Sequence, residues 1–221
     1  MLKVSKIYKN YDHEVLKGIS LSLKKGYCYT LVGKSGCGKS TLSRIICGME
    51  KPDKGNVIYN GKDIYSIKKR EFKKIQKDVQ IVFQDAYSSL NPRWSIYKSI
   101  KEPIDNYQKL RKESCKNKIN ELIKIVGLDT NVLKRRPNEL SGGQLKRVCI
   151  ARAISCDPKL IIFDESVSGL DMETKQGILN LLIDLQKKIN STYLMITHDM
   201  EVAQAISDII FKMENGKISL I

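Results

Sequence analysis

A chain of 221 residues, 42% of them hydrophobic, holds enough apolar material for one large domain with an inserted lobe. Its formal net charge of +15 comes mostly from lysines scattered along the chain, as in Lys68-Lys69-Arg70, Lys73-Lys74 and Lys187-Lys188. That reads as a solvated surface, so no specific nucleic-acid partner is expected, and anionic lipid is at most a secondary beneficiary. No segment is apolar enough to cross a bilayer, and Met1 to Lys6 lacks a signal-peptide core. Cys28, Cys37, Cys47, Cys115, Cys149 and Cys156 form no C-x-x-C pair, which argues against a metal site or a disulfide framework and for a reducing cytosol.

In chain order, alternating residues from Val15 to Leu23 predict an edge-type strand, and Tyr27 to Val32 is an apolar run ending at a glycine-rich segment. That segment, Gly33-Lys34-Ser35-Gly36-Cys37-Gly38-Lys39-Ser40, fits G-x-x-x-x-G-K-S/T, and the stretch Thr41 to Cys47 is helix-compatible. The flanks matter more than the pattern. Glycines let successive backbone N–H groups converge on phosphate oxygens, and the following helix points its positive dipole end at the same place. Lys39 adds a full charge, and Ser40 offers a hydroxyl to Mg²⁺. Cys37 reads as a small loop filler without a redox role. Asn56 to Tyr59, before the turn pair Asn60-Gly61, is a further strand, so a small antiparallel sheet is expected beside the nucleotide. From Asp85 to about Asn138 the pattern turns polar and helix-compatible around Pro92, Pro103 and Pro137, which predicts an inserted helical lobe.

Leu140-Ser141-Gly142-Gly143-Gln144 then opens a stretch to Ser155 with Leu145, Val148, Cys149 and Ala153 at helical spacing. Ser141 is a good N-cap, and the two glycines leave the helix entrance open to an anion. The chain's own phosphate loop does not account for that second anion-binding start, which points to a partner subunit. Leu160 to Phe163 is short and continuously apolar, as suits a strand buried on both faces of a parallel sheet. At its end Asp164 is suited to the Mg²⁺ shell, and Glu165 can polarise a water aimed at the γ-phosphate. An amphipathic helix from Met172 to Ile189 follows, then a strand from Thr192 to Thr197 with His198 at its end. Asn215-Gly216 closes the chain with a two-residue hairpin turn.

Taken together these segments resemble the ATP-binding cassette family over nearly the whole chain, the Leu140 to Gln144 signature being the most specific part. The resemblance implies an α/β fold: a P-loop NTPase core with a mostly parallel sheet and an antiparallel β-subdomain, residues 1–84 and 139–221, interrupted by an α-helical subdomain at 85–138. It implies ATP and Mg²⁺, and two nucleotide domains facing head to tail. Each ATP would be gripped by the Gly33 to Thr41 segment of one chain and by Ser141, Gly142, Gly143 and Gln144 of the other. The resemblance also makes Gln84 the link from Mg²⁺ and the attacking water to a transmembrane partner. It makes Ser168-Gly169-Leu170-Asp171 the loop crossing the dimer seam, and His198 the γ-phosphate contact. Relatives stack the adenine on an aromatic about 25 residues ahead of the first loop glycine, where Tyr8 stands. Tyr11 is its competitor, in a segment that reads as turn-like.

Val82 to Arg93 and Leu140 to Cys149 are similar to the versions in importers of peptides, nickel and metal chelates, the second above all to nickel-type ATPases. Such importers imply a second, non-identical ATPase chain, two membrane permease subunits, an external substrate-binding protein, and a peripheral location at the cytoplasmic face of the membrane. Peptide carriers generally run on into a C-terminal extension; this sequence stops at Ile221, after the closing hairpin, which favours nickel or a metal chelate. Ser166 stands where many cassettes have proline, a position that varies among nickel-type relatives. Exporter ATPases, soluble cassettes acting on nucleic acid or ribosomes, and non-enzymatic regulators stay open as alternatives. The Gln84 to Arg93 segment weighs against the first, the lack of a second cassette or coiled-coil insertion against the second, and intact Glu165 and His198 against the third.

Overall fold

Alternation and its absence sort the strands into two sheets. The computed structural model describes residues 1–221. Strands β1 (Leu2–Asn10), β2 (Glu14–Leu23), β4 (Lys54–Tyr59) and β5 (Lys62–Asp63) pair antiparallel in the order β2-β1-β4-β5. Strands β3 (Cys28–Val32), β6 (Val79–Val82), β7 (Leu160–Asp164), β8 (Thr192–Thr197) and β9 (Ile209–Glu214) run parallel, with β10 (Lys217–Leu220) as an antiparallel edge, in the order β10-β9-β3-β8-β7-β6. The helices are α1 (Lys39–Ile46), α2 (Lys69–Asp78), α3 (Ile96–Tyr107), α4 (Lys112–Ile125), α5 (Gly142–Ile154), α6 (Met172–Ile189) and α7 (Met200–Ile206). None is long and apolar enough to cross a membrane.

Because β7 and β8 are covered on both sides, every residue in them is buried and period-two patterning vanishes. Leu160, Ile162, Leu194 and Ile196 join a core with α1 and the small sheet, while Ile161, Phe163, Tyr193 and Met195 join a core built with α3, α4, α5 and α6. Phe163 and Tyr193 meet edge to face, ring centroids 4.9 Å apart at 72°. The Tyr193 hydroxyl is buried there without a hydrogen-bond partner. Replacing Tyr193 with Phe therefore removes an unsatisfied polar group at almost constant shape. We expect a gain of about 1 kcal/mol in urea unfolding; a loss of similar size would mean that the hydroxyl has a partner in solution.

The expected strands at Val15–Leu23, Asn56–Tyr59, Leu160–Phe163 and Thr192–Thr197 are present with shifts of at most two residues, and the helix Met172–Ile189 has the expected bounds. Strands β1, β5 and β6 and helices α2 and α7 were not anticipated, and the last residues of β1 are extended where a turn was expected. A bulge explains why. Lys6 adopts φ +48°, and the register slips with β4 between Ser5 and Tyr8 and with β2 on either side of Ile7, so Val4 and Ile7 are both buried although they are three apart.

The parallel register pairs Val32 with Thr197 and Asp164 with Ile196. The residues that leave the carboxyl ends of β3, β7 and β8, namely Gly33, Glu165 and His198, therefore meet on one rim of the sheet, where open α/β sheets bind ligands.

Candidate nucleotide site

The loop from Gly33 to Gly38 joins β3 to α1. Gly38 has φ +107°, and a Cβ there would lie 2.8 Å from Leu16 Cδ2, so only glycine fits the turn into the helix. Lys39, the first residue of α1, is buried and folds back over the loop. Its ammonium donates to the carbonyls of Gly33 (2.7 Å) and Lys34 (2.9 Å) and lies 3.8 Å from a Glu165 carboxylate oxygen. A cleft of about 370 Å³ opens above the loop, lined among others by Ser35, Gly36, Lys39, Ser40, Gln84 and Glu165.

Asp164 ends β7 below that cleft. The Ser40 hydroxyl donates to it at 3.1 Å and the Ser43 hydroxyl at 3.3 Å. Burial pushes the Asp164 pKa up, the two serine hydrogen bonds act against the rise, and the neighbouring charge of Glu165 adds to it. A carboxylate held in that condition gains from a cation. Glu165 comes next, with the left-handed φ of +45° that aims its side chain back over the phosphate loop. Its carboxylate accepts a hydrogen bond from Gln84 Nε2 at 3.3 Å and stands 3.4 Å from His198 Nδ1. Lys39, Gln84, Glu165 and His198, far apart in the chain, thus form one cluster.

The signature segment lies elsewhere. Ser141 caps α5, accepting from the backbone N–H of Gln144 at 3.3 Å while Gln144 Oε1 accepts from the Ser141 N–H at 3.1 Å. No heavy atom lies within 4 Å of where a Gly142 Cβ would sit, whereas one on Gly143 would meet the Thr174 methyl at 2.7 Å. Thr174 follows Asp171, which caps α6 by accepting from the Thr174 N–H at 2.9 Å. Asp171 and the Ser141 helix start are therefore neighbours. None of Ser141, Gly142, Gly143, Gln144 and Asp171 lines the phosphate-loop cleft of its own chain.

Tyr8, expected to stack the adenine, is turned away from that cleft. It lines a groove on the outer face of the small sheet with Lys3, Lys6, Ser20, Lys54 and Asn56, and no residue of the phosphate loop takes part in it. The bulge at Lys6 is the cause, since it reverses which face the following residues occupy. Tyr11 is on the other side: it is exposed, its hydroxyl bonds Glu50, and Thr41 and Arg44 of α1 are close enough to act on its titration. His13, Val15 and Arg44 also line the cleft and were not anticipated. Arg44 had a signal, because it lies one helical turn beyond Ser40, whose carbonyl accepts from its Nε at 3.1 Å.

Residues 16–168 match the ABC transporter family. The chain belongs to that family. The nickel import ATP-binding protein NikE of Shigella boydii serotype 4 is 40% identical to this ABC cassette over 210 residues, covering 95% of this chain and 78% of the relative. A dimeric structure of the ATP-binding cassette MJ0796 in a post-hydrolysis state, bound to ADP and Pi, superposes with a TM-score of 0.89 at 30% identity, covering 99% of this chain and 97% of that one. cbiO1 from Clostridium perfringens, part of the ABC transporter complex cbiONQ, has a TM-score of 0.88 at 31% identity, covering 99% and 86%. The family and fold expected from the motifs are those observed, and the enzyme class is that of an ABC-type ATP hydrolase.

Proposed function

We propose that this ABC cassette is the ATP-hydrolysing subunit of an importer for nickel, a metal chelate or short peptides, with nickel favoured by its likeness to NikE. The observation that carries the ATPase reading is Glu165, poised at the mouth of the phosphate loop among Lys39, Gln84 and His198. Loop N–H groups and the start of α1 cradle the β- and γ-phosphates of ATP, and Lys39 exchanges its loop carbonyls for phosphate oxygens. Glu165 orients the attacking water and takes up its proton. His198 and Lys39 offset charge gathering on the γ-phosphate oxygens. Tyr11, with Val15, is the replacement platform for the adenine.

The donor set suits Mg²⁺. Ser40 and Asp164 provide hard oxygens, and Gln84 keeps its amide oxygen free while its Nε2 donates to Glu165. No group of three His, Cys, Asp or Glu side chains forms a cage, which fits an ion that also needs phosphate ligands. When bound, the ion neutralises negative charge on the β- and γ-phosphate oxygens.

Because the Ser141 helix start lies outside its own cleft, we infer that it completes the site of a second cassette, identical or not, across a head-to-tail dimer in which Asp171 lies at the seam. Two permease subunits docking near Gln84 to Arg93 at the cytoplasmic face of the membrane, fed by an external binding protein, complete the assembly. The test is uptake of radiolabelled nickel by cells lacking this chain. The parent gene is expected to restore accumulation and the Glu165→Gln variant to fail. Unimpaired nickel uptake without the chain, together with lost peptide uptake, would overturn nickel in favour of peptide.

A further inference from the structure

Three side chains of α5, Lys146, Cys149 and Arg152, recur every third residue and lie along the loop that follows β6. The Lys146 ammonium donates to the Gln84 carbonyl. The Cys149 sulfur is 3.7 Å from the Ala86 carbonyl oxygen and 3.3 Å from the Ser89 hydroxyl, and Arg152 Nη1 donates to the Ser89 carbonyl at 3.1 Å. Carbonyls 84 and 89 of an irregular segment thus find their donors on one helix, while the Ala86 carbonyl accepts at 2.8 Å from Ser89 Oγ inside the segment and touches Cys149 more loosely. Arg152 also bonds Glu102 on α3 at 3.1 Å, so this rung has a second tie.

Lys146 is the unusual member. It is only 6% exposed and has no carboxylate within ion-pair distance, although a buried cation ordinarily has one. Burial pushes its pKa down, while Cys149 and Asp85 pull it back up. An apolar side chain of similar length would avoid the desolvation. What the ammonium adds is its hold on the backbone of Gln84, whose side-chain amide reaches Glu165 at 3.3 Å, long enough that a small displacement breaks the contact.

We propose that Lys146 is a positioning residue for ATP hydrolysis, fixing the backbone of Gln84 so that its side chain meets Glu165 and tying that loop to the helix that begins at Ser141. The proposal rests on the roles given to Gln84 and Glu165 above. It also gives the two sites of a dimer a mechanical link, since whatever moves the Ser141 end of α5 at a partner's nucleotide moves Gln84 at its own.

The test measures kcat and ATP affinity for the assembled transporter, and unfolding temperature for the purified chain, with Lys146→Met, Lys146→Gln, Gln84→Ala, or Gln84→Ala with Lys146→Met in this chain. Lys146→Met is expected to lower kcat about tenfold while ATP affinity stays within about twofold and the unfolding temperature does not fall. Lys146→Gln, which keeps an N–H donor near the carbonyl, recovers most of the rate. In the Gln84→Ala background Lys146→Met changes kcat less than about twofold, since the group it positions is gone. A parental rate for Lys146→Met, or a further tenfold loss in that background, overturns the proposal while leaving the role of Gln84 intact. A parental rate for Gln84→Ala alone removes the role of Gln84 and the proposal with it. Lys146→Ala takes the place of the methionine variant if that protein does not accumulate.

Discussion

Glu165→Gln is expected to bind ATP as well as the parent or better and to turn it over at least about a hundredfold more slowly, the scale of a lost general base. The change keeps the size of the side chain and its place at the end of β7, so the cleft keeps its shape. What it removes is the negative charge that Lys39 faces at 3.8 Å and His198 Nδ1 at 3.4 Å. Without that charge Lys39 meets less competition when phosphate oxygens arrive, which raises affinity, while the attacking water loses the group that takes its proton. ATP should therefore accumulate uncleaved between two chains. Sedimentation in ATP and Mg²⁺ should show a lasting dimer for the variant and only a transient one for the parent. Turnover at the parental rate would show that another group takes the proton.

The central strands were legible because their chemistry is uniform. Leu160 to Phe163 is apolar throughout and Thr192 to Thr197 is rich in β-forming residues, and both strands are buried along their whole length. Helix α6 was legible from Met172 to Ile189 by its amphipathic pattern, and the structure shows Asp171 capping one end and Asn190, in left-handed conformation, stopping the other. Strand β1 was hidden by one residue: the bulge at Lys6 puts Val4 and Ile7 on the same side and breaks the alternation that strand reading depends on. The same bulge puts Tyr8 in the groove of the small sheet, so one irregularity accounts for both the missed strand and the place of Tyr8 outside the phosphate-loop cleft. In the site, residues set by short motifs were readable, since the turn from β3 into α1 is local chemistry. Lys146 was not, because its partner Gln84 lies 62 residues away and only packing of α5 against the loop brings them together.

Lys39→Ala tests a different link, the one between loop conformation and affinity. The ammonium makes two hydrogen bonds to loop carbonyls, at 2.7 and 2.9 Å, and these mark out the positions where phosphate oxygens compete for it. Removing it deletes charge-assisted contacts worth about 3 kcal/mol in total, so the ATP dissociation constant should rise roughly a hundredfold. Stability without nucleotide should change far less. The Gly33 and Lys34 carbonyls lose a donor, but a buried ammonium and its desolvation are removed along with it. The two consequences separate in a thermal scan. ATP at about 100 times the parental dissociation constant adds about 2.7 kcal/mol to the parent, and the variant, near half saturation at that concentration, gains only about 0.4 kcal/mol. An equal ATP-dependent rise in melting temperature for both proteins would mean that the backbone of the loop and the start of α1 hold the phosphates without Lys39, and that its buried position serves the loop alone.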